Sequence, residues 1–158
     1  MTFIKNQTKG TWATLMTLLL AVISIIVYKV NIAGEGYFQN AVVPKAVSYS
    51  IIMIALLVAV FLLAKIKVTG IAEKILTILC DAMRIIVPAL AIAALMAIVS
   101  SRVEGFAFIY FSNEEVLQEV QTAANLSSAH GAIAHIALLA ITAVVGMISS
   151  FFQLKKEQ

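Results

Sequence analysis

Charged residues are scarce in this chain of 158 residues. Only 12% are Asp, Glu, Lys or Arg, while 62% are hydrophobic. Soluble domains carry about 25% charged residues, so this composition excludes a water-soluble globular protein. The net charge is only +3, and no basic patch alternates with exposed aromatic residues, so we expect no nucleic-acid binding.

Cysteine and histidine are also nearly absent. The single cysteine, Cys80, excludes an intramolecular disulfide and paired-thiol redox chemistry. His130 and His135 are five positions apart, or about 140° around a helix, so they do not form the one-face pair that binds metals. The sequence contains no phosphate-binding glycine loop and no nucleophile signature. We therefore expect no metal, no cofactor and no enzymatic activity.

What the chain has instead is four uncharged, strongly apolar runs, at residues 11–28, 46–64, 85–101 and 136–154. About 20 helical residues cross the roughly 30 Å hydrocarbon core of a bilayer. Backbone groups in lipid must bond internally, and runs without strand-like alternation can do so only as helices. The sequence predicts an all-α integral membrane protein, with residues 1–158 forming one membrane domain. Its four-transmembrane-helix bundle has spans at about 11–30, 46–65, 85–101 and 131–153.

The distribution of basic residues predicts the orientation of these spans. Cytoplasmic loops collect Lys and Arg. Seven lysines fall on one predicted side: Lys5, Lys9, Lys65, Lys67, Lys74, Lys155 and Lys156. Most acidic residues fall on the opposite side: Glu35, Glu104, Glu114, Glu115 and Glu119. We therefore expect a multi-pass protein of the cell membrane with both termini in the cytoplasm.

The region before the third span has an amphipathic pattern. Apolar residues recur at helical spacing from Ile71 to Met83, while Glu73, Thr77, Asp81 and Arg84 lie on another face. Pro88 cannot donate a hydrogen bond to the Arg84 carbonyl, which favours a break or kink. We expect a separate amphipathic helix at the cytoplasmic interface. The alternative is one long helix beginning near residue 75, which places Asp81 and Arg84 in the bilayer.

The connection between the third and fourth spans is rich in aromatic residues. The segment 105–111 is too aromatic to extend into water, so we expect it to lie on the outer bilayer surface or to cap the bundle. Ser112 and Glu115 have the spacing of a capping box and predict a short external helix. Aromatic rings beside carboxylates suit sugars, cations or a partner protein. This candidate external surface comprises Glu35, Tyr37, Phe38, Glu104, Phe106, Phe108, Tyr110, Glu114 and Glu115.

Small residues at intervals of four predict close helix packing in membranes. Two such faces are present: Ala89, Ala93 and Ala97 on the third span, and Thr142, Gly146 and Ser150 on the fourth. We expect each face to pack either against another helix of the bundle or against another protein.

Asp81 and Arg84 are the candidate intramembrane or coupling pair, and His135 is the candidate titrating group. Three function classes follow. The first is a non-enzymatic accessory or structural subunit of a larger membrane complex, such as a transport complex. The second is a small ion- or proton-coupled transporter or channel acting as an oligomer, and the third, a membrane enzyme, is remote. Besides the lipid bilayer, the expected partner is another membrane protein or a second copy of this chain.

Overall fold

The computed structural model describes residues 8–66 and 68–154. Within those ranges the chain forms five helices and no strand. The helices are α1 (Lys9–Ala33), α2 (Pro44–Ala64), α3 (Ile71–Phe111), α4 (Glu114–Val120) and α5 (Ala123–Ser150). All except α4 are long and apolar enough to cross a membrane. The described part of the chain is thus an all-α, multi-pass membrane protein by length and composition.

The four long helices pack in the order α2, α3, α5, α1. Helix α5 contacts both α1 and α3 extensively, and α3 contacts α2 equally well, whereas α1 and α2 meet over a much smaller area. At one end of the bundle Thr8, the N-cap of α1, donates a hydrogen bond to the carbonyls of Gln153 and Leu154. The two ends of the described chain therefore lie together. Lys5, Lys67, Lys155 and Lys156, on which the orientation partly depends, lie outside the described residues.

The seam between α1 and α5 is built from small and hydroxylated residues. The buried face of α1 has alternating intervals of four and three: Gly10, Thr14, Thr17, Ala21, Ser24 and Tyr28. Helix α5 has the same intervals from Ser128 to Ser149. Small side chains let the two backbones approach closely, which is how membrane helices gain packing contacts without a hydrophobic driving force.

The predicted break at Pro88 is absent from helix α3. Its 41 residues run through Pro88 without interruption, so the expected separate amphipathic helix is the first part of the third span. Ser150 on α5 supplies the reason, because its hydroxyl donates to the Arg84 carbonyl at 3.0 Å. That carbonyl is the one that Pro88 leaves without an intrahelical donor. A hydroxyl from a neighbouring helix thus replaces the lost hydrogen bond.

The aromatic segment after the third span is also helical. Residues 105–111 complete α3, which ends at Phe111, so the segment expected in the connection belongs to the third long helix. The reason is packing: Gly105 lies directly against the rings of Tyr37 and Phe38, and Ile109 is fully buried with Phe38, Ala129 and Ala132. One side of the last turns of α3 is therefore buried against this core cluster.

The short helix before the fourth span is present as α4, but its cap differs from the prediction. The Asn113 side chain, rather than that of Ser112, accepts the Val116 N–H. Helix α5 then begins at Ala123, earlier than the expected 131, because Thr122 caps it by accepting the Asn125 N–H. An Asn or Thr at these positions satisfies one of the free N–H groups of a first turn.

Candidate functional site

Asp81 and Arg84 lie at the joint between α3 and the last turn of α5. The Arg84 guanidinium is 1% exposed, while the Asp81 side chain is 48% exposed, and their closest atoms are 3.3 Å apart. Arg84 also donates to the Ser149 carbonyl. A cation beside the last carbonyls of a helix is stabilised by the helix dipole. Arg84 therefore links α3 to α5, while the carboxylate of Asp81 is half exposed rather than buried in the bundle.

Gly146 completes the joint. A Cβ atom added there would lie 3.4 Å from Thr17 and 3.6 Å from Pro88, which is ordinary contact distance. Helix α5 thus touches α1 and α3 at the same level. Of the predicted packing residues on α5, Thr142 and Gly146 are buried and Ser150 is half-buried, so this face is used inside the bundle.

The predicted packing residues of α3 are placed differently. Ala89 is exposed, and Ala93 and Ala97 are half-buried. In this stretch of α3, the small residues that are fully buried are Ala91 and Ala94. The chain's own helices therefore leave part of the small-residue face of α3 uncovered, on the side that turns away from the bundle.

The opposite end of the bundle is a cap held by Arg102 and Phe38. Arg102 is buried, and it donates to the Ala41 carbonyl at 2.5 Å. Its guanidinium carbon lies 4.5 Å from the centre of the Phe38 ring, within the range of a cation–π interaction. The Phe38 N–H donates to Ser128 Oγ. The segment between α1 and α2 is thereby fastened to both α3 and α5.

The predicted external surface is assembled only in part. Four aromatic rings meet in one cluster, with centroids 5.3–5.7 Å apart: Tyr37, Phe38, Phe106 and Phe108. Phe38 is buried and therefore structural, whereas Tyr37 and Phe108 are about 40% exposed. Tyr110 is half-buried, and the exposed carboxylates are Glu35, Glu104, Glu114 and Glu115. Their binding role stays a prediction.

His135 is buried between helices and faces a small cleft. Its ring is tilted against Tyr28, with centroids 5.0 Å apart, and the Tyr28 hydroxyl accepts the Val43 N–H at 2.7 Å. The cleft is too narrow to hold a water molecule, and it is lined by Ile25, Tyr28, Ala46, Val47, Ser50 and His135. It lies on the α1–α2 side, where helix packing is loosest.

Arg102 and Ser50 are the polar residues that sequence reasoning missed. Arg102 ends an apolar run and resembles an ordinary flanking cation, and Ser50 lies in the second turn of α2 among apolar residues. A signal that the sequence does carry is the alternating spacing of four and three on α1, which marks its buried face. The described residues contain no group of three or more His, Cys, Asp or Glu that could hold a metal ion.

No family model, curated protein or solved structure matches this chain.

Proposed function

We propose that this protein is a small, non-enzymatic subunit that attaches to a larger membrane complex through the outward face of α3. One observation carries this proposal: Ala89, Ala93 and Ala97 are not fully covered by the chain's own helices. The matching small-residue face of α5 is buried against α1 and α3. A stripe of small residues lets the backbone of another helix approach closely, and the two helices then gain van der Waals packing.

The first part of α3 supports the same proposal. Three isoleucines on its outward side are 61–79% exposed: Ile71, Ile75 and Ile78. Helix α3 has a length of about 60 Å, about twice the thickness of the hydrocarbon core. A helix that leaves the hydrocarbon core with uncovered isoleucines at intervals of four and three matches the pattern with which amphipathic helices enter partner grooves.

We place both termini in the cytoplasm. The described lysines Lys9, Lys65 and Lys74 lie at the end of the bundle where α1 and α3 begin and α2 ends. Five glutamates lie at the other end: Glu35, Glu104, Glu114, Glu115 and Glu119. A Cys80→Ser, Gln39→Cys variant tests this placement. An impermeant maleimide should label it from outside intact cells, whereas labelling only after permeabilisation contradicts the orientation.

Copurification tests the docking proposal. The protein, tagged in its native cells and extracted in mild detergent, should retain a membrane protein in fixed stoichiometry. Ala89→Leu with Ala93→Leu should release that partner, and Ala55→Leu on the exposed face of α2 should not. A protein purified without any stoichiometric partner, or a partner retained equally by both variants, contradicts docking through this face.

An ion- or proton-coupled transporter is the alternative, and His135 is the observation that favours it. An ionisable side chain buried between membrane helices is a candidate for a transport role. Under the subunit proposal, the purified chain in proteoliposomes carries no ion or proton flux. Flux that disappears in His135→Asn would favour the transporter instead.

A further inference from the structure

Helix α3 extends well past α5 at the end of the bundle where α3 begins. The last turn of α5 lies beside Arg84, whose guanidinium donates to the Ser149 carbonyl. The part of α3 before Arg84, residues 71–83, therefore extends about 20 Å beyond α5. We call these residues the α3 extension. Eight of the nine residues from 71 to 79 are exposed, so the described part of the chain leaves most of the extension uncovered.

The two buried arginines of α3 locate the hydrocarbon core. Arg84 and Arg102 are 18 positions apart, or about 27 Å along the helix, close to the roughly 30 Å thickness of that core. A charged side chain at the bilayer centre is costly, so we place both arginines at its boundaries. Ile75 and Ile71 then lie about 13 and 20 Å outside the boundary, whereas the headgroup layer is only about 5–7 Å thick. Their side chains, which are 61% and 79% exposed, therefore lie beyond the lipid.

The outward face of α3 has one unbroken heptad repeat that crosses this boundary. From Ile71 to Val103, ten positions alternate at intervals of four and three, and every one of them is apolar and exposed. A strict period of 3.5 residues keeps one stripe facing a second helix. Contact with lipid accounts for apolar residues inside the bilayer, but it does not account for Ile71 and Ile75. The repeat therefore indicates a partner helix that follows α3 out of the bilayer.

The extension also makes the contact large enough for a specific interface. The stripe is about 48 Å long, and one third of the circumference of a helix about 12 Å wide gives it an area of roughly 600 Å². Two helices in contact along it bury roughly 1,200 Å², the lower limit for a specific interface. Without the extension, the contact buries roughly 700 Å², which is in the range of crystal contacts.

The heptad positions argue against a second copy of this chain as the partner. The d positions, from Ile71 to Val99 in steps of seven, are all isoleucine or valine, and isoleucine at d shifts parallel coiled coils from dimers to trimers and tetramers. Those assemblies contact each helix on two sides and need the g positions beside the stripe. Two g positions, Pro88 and Arg102, are buried within the bundle, so a helix of a different sequence fits the stripe better.

We propose that a single helix of a different membrane protein pairs with α3 along residues 71–103 and continues beside the extension past the headgroups. This inference rests on the proposed docking through the outward face of α3 and specifies the kind of partner. The partner helix has an apolar heptad stripe of its own. Its side chains are large opposite Ala82 and Ala89, which are two successive small residues at a positions.

Photocrosslinking along the stripe tests the continuing helix. A photoreactive amino acid is placed in turn at Ile71, Ile78, Ile85 and Ile92 and irradiated in native membranes. Mass spectrometry of the adducts should place all four crosslinks on one continuous helix of one protein, about seven residues apart. The same group at Glu73 or Thr77, which are exposed on the polar face of the extension, should give no adduct with that protein.

The four positions also separate this proposal from the docking on which it rests. Adducts with a membrane protein from Ile85 and Ile92, but none with that protein from Ile71 and Ile78, overturn the continuing helix and leave the docking intact. Adducts with a second copy of this chain overturn the choice of partner. Lipid adducts from all four positions contradict both proposals.

Substitutions in the extension give an independent measurement. Ile71→Ser with Ile75→Ser should reduce the amount of partner retained in copurification by at least about tenfold, because two buried apolar side chains are lost from the interface. Glu73→Ser with Thr77→Ser is the matched control on the polar face and should retain the partner. All four side chains are exposed, so both variants should unfold like the native chain. Equal retention by the two variants overturns the proposal.

Discussion

Removing the Ser150 hydroxyl should destabilise the joint between α3 and α5 only while Pro88 is present. In the native chain, Ser150 Oγ lies 3.0 Å from the Arg84 carbonyl and 3.0 Å from the Gly146 carbonyl of its own helix. Pro88 has no N–H to offer the Arg84 carbonyl. Ser150→Ala therefore leaves this carbonyl without a donor inside the bundle.

The cost of Ser150→Ala should differ between the native chain and a Pro88→Ala variant. An unsatisfied buried acceptor costs about 1–3 kcal/mol, and this hydrogen bond is partly buried, so Ser150→Ala should lower the free energy of unfolding by about 1–2 kcal/mol. In a Pro88→Ala background, the new backbone N–H bonds the Arg84 carbonyl. There Ser150→Ala should have almost no effect. The coupling between the two sites is then about 1–2 kcal/mol, above the usual additivity error of about 0.5 kcal/mol.

Reversible unfolding in mixed micelles of detergent and SDS measures this coupling through a double-mutant cycle. Ser149→Ala is the matched control, because its hydroxyl donates only to the Gly146 carbonyl, and its effect should be the same in both backgrounds. If Ser150→Ala destabilises the native protein and the Pro88→Ala variant equally, Ser150 does not compensate for the proline, and our explanation of the unbroken helix is wrong.

The same unfolding assay tests three further expectations. Gly146→Ala should keep or raise stability, by up to about 1 kcal/mol from helix propensity, because a Cβ fits there; Gly146→Leu should lower it by about 1–3 kcal/mol through overpacking, and equal stability of the two variants would contradict the contact. Asp81→Asn should cost less than about 1 kcal/mol because Asp81 is half exposed, whereas Arg84→Met should cost about 1.5–3 kcal/mol because it removes a charged hydrogen bond to the Ser149 carbonyl; the reverse order would refute this placement. Ser128→Ala should cost about 1–3 kcal/mol by leaving the buried Phe38 N–H without an acceptor, and an unchanged protein would show that this bond does not fasten the cap.

The number of spans could be predicted from the sequence because bilayer thickness sets a simple length rule. The same rule could not give the length of α3. Whether Pro88 breaks a helix depends on whether another group reaches the Arg84 carbonyl, and Ser150 lies far from Pro88 along the chain. Likewise, residues 105–111 are helical because Phe38 and Ala129 cover them, and both contacts are distant in sequence.

The candidate sites were predictable to a lesser degree. Asp81 and Arg84 are three apart, a spacing that makes side chains neighbours on a helix, and their closest atoms are 3.3 Å apart. Local spacing could not show that Ala89 faces outward while Gly146 faces inward, because both stripes consist of small residues at the same interval. Nor could it place Ser50 near His135 in one cleft, since this proximity arises only when α2 and α5 both pack against α1 and α3.

Photocrosslinking from Ala89 tests the docking face most directly. A photoreactive amino acid at Ala89 or Ala93, irradiated in native membranes, should give one discrete heavier adduct with a membrane protein. The same group at Ile23, on the exposed face of α1, should give only lipid adducts. If Ala89, Ala93 and Ile23 all give only lipid adducts, the outward face of α3 contacts the bilayer rather than a partner, and the subunit proposal is contradicted.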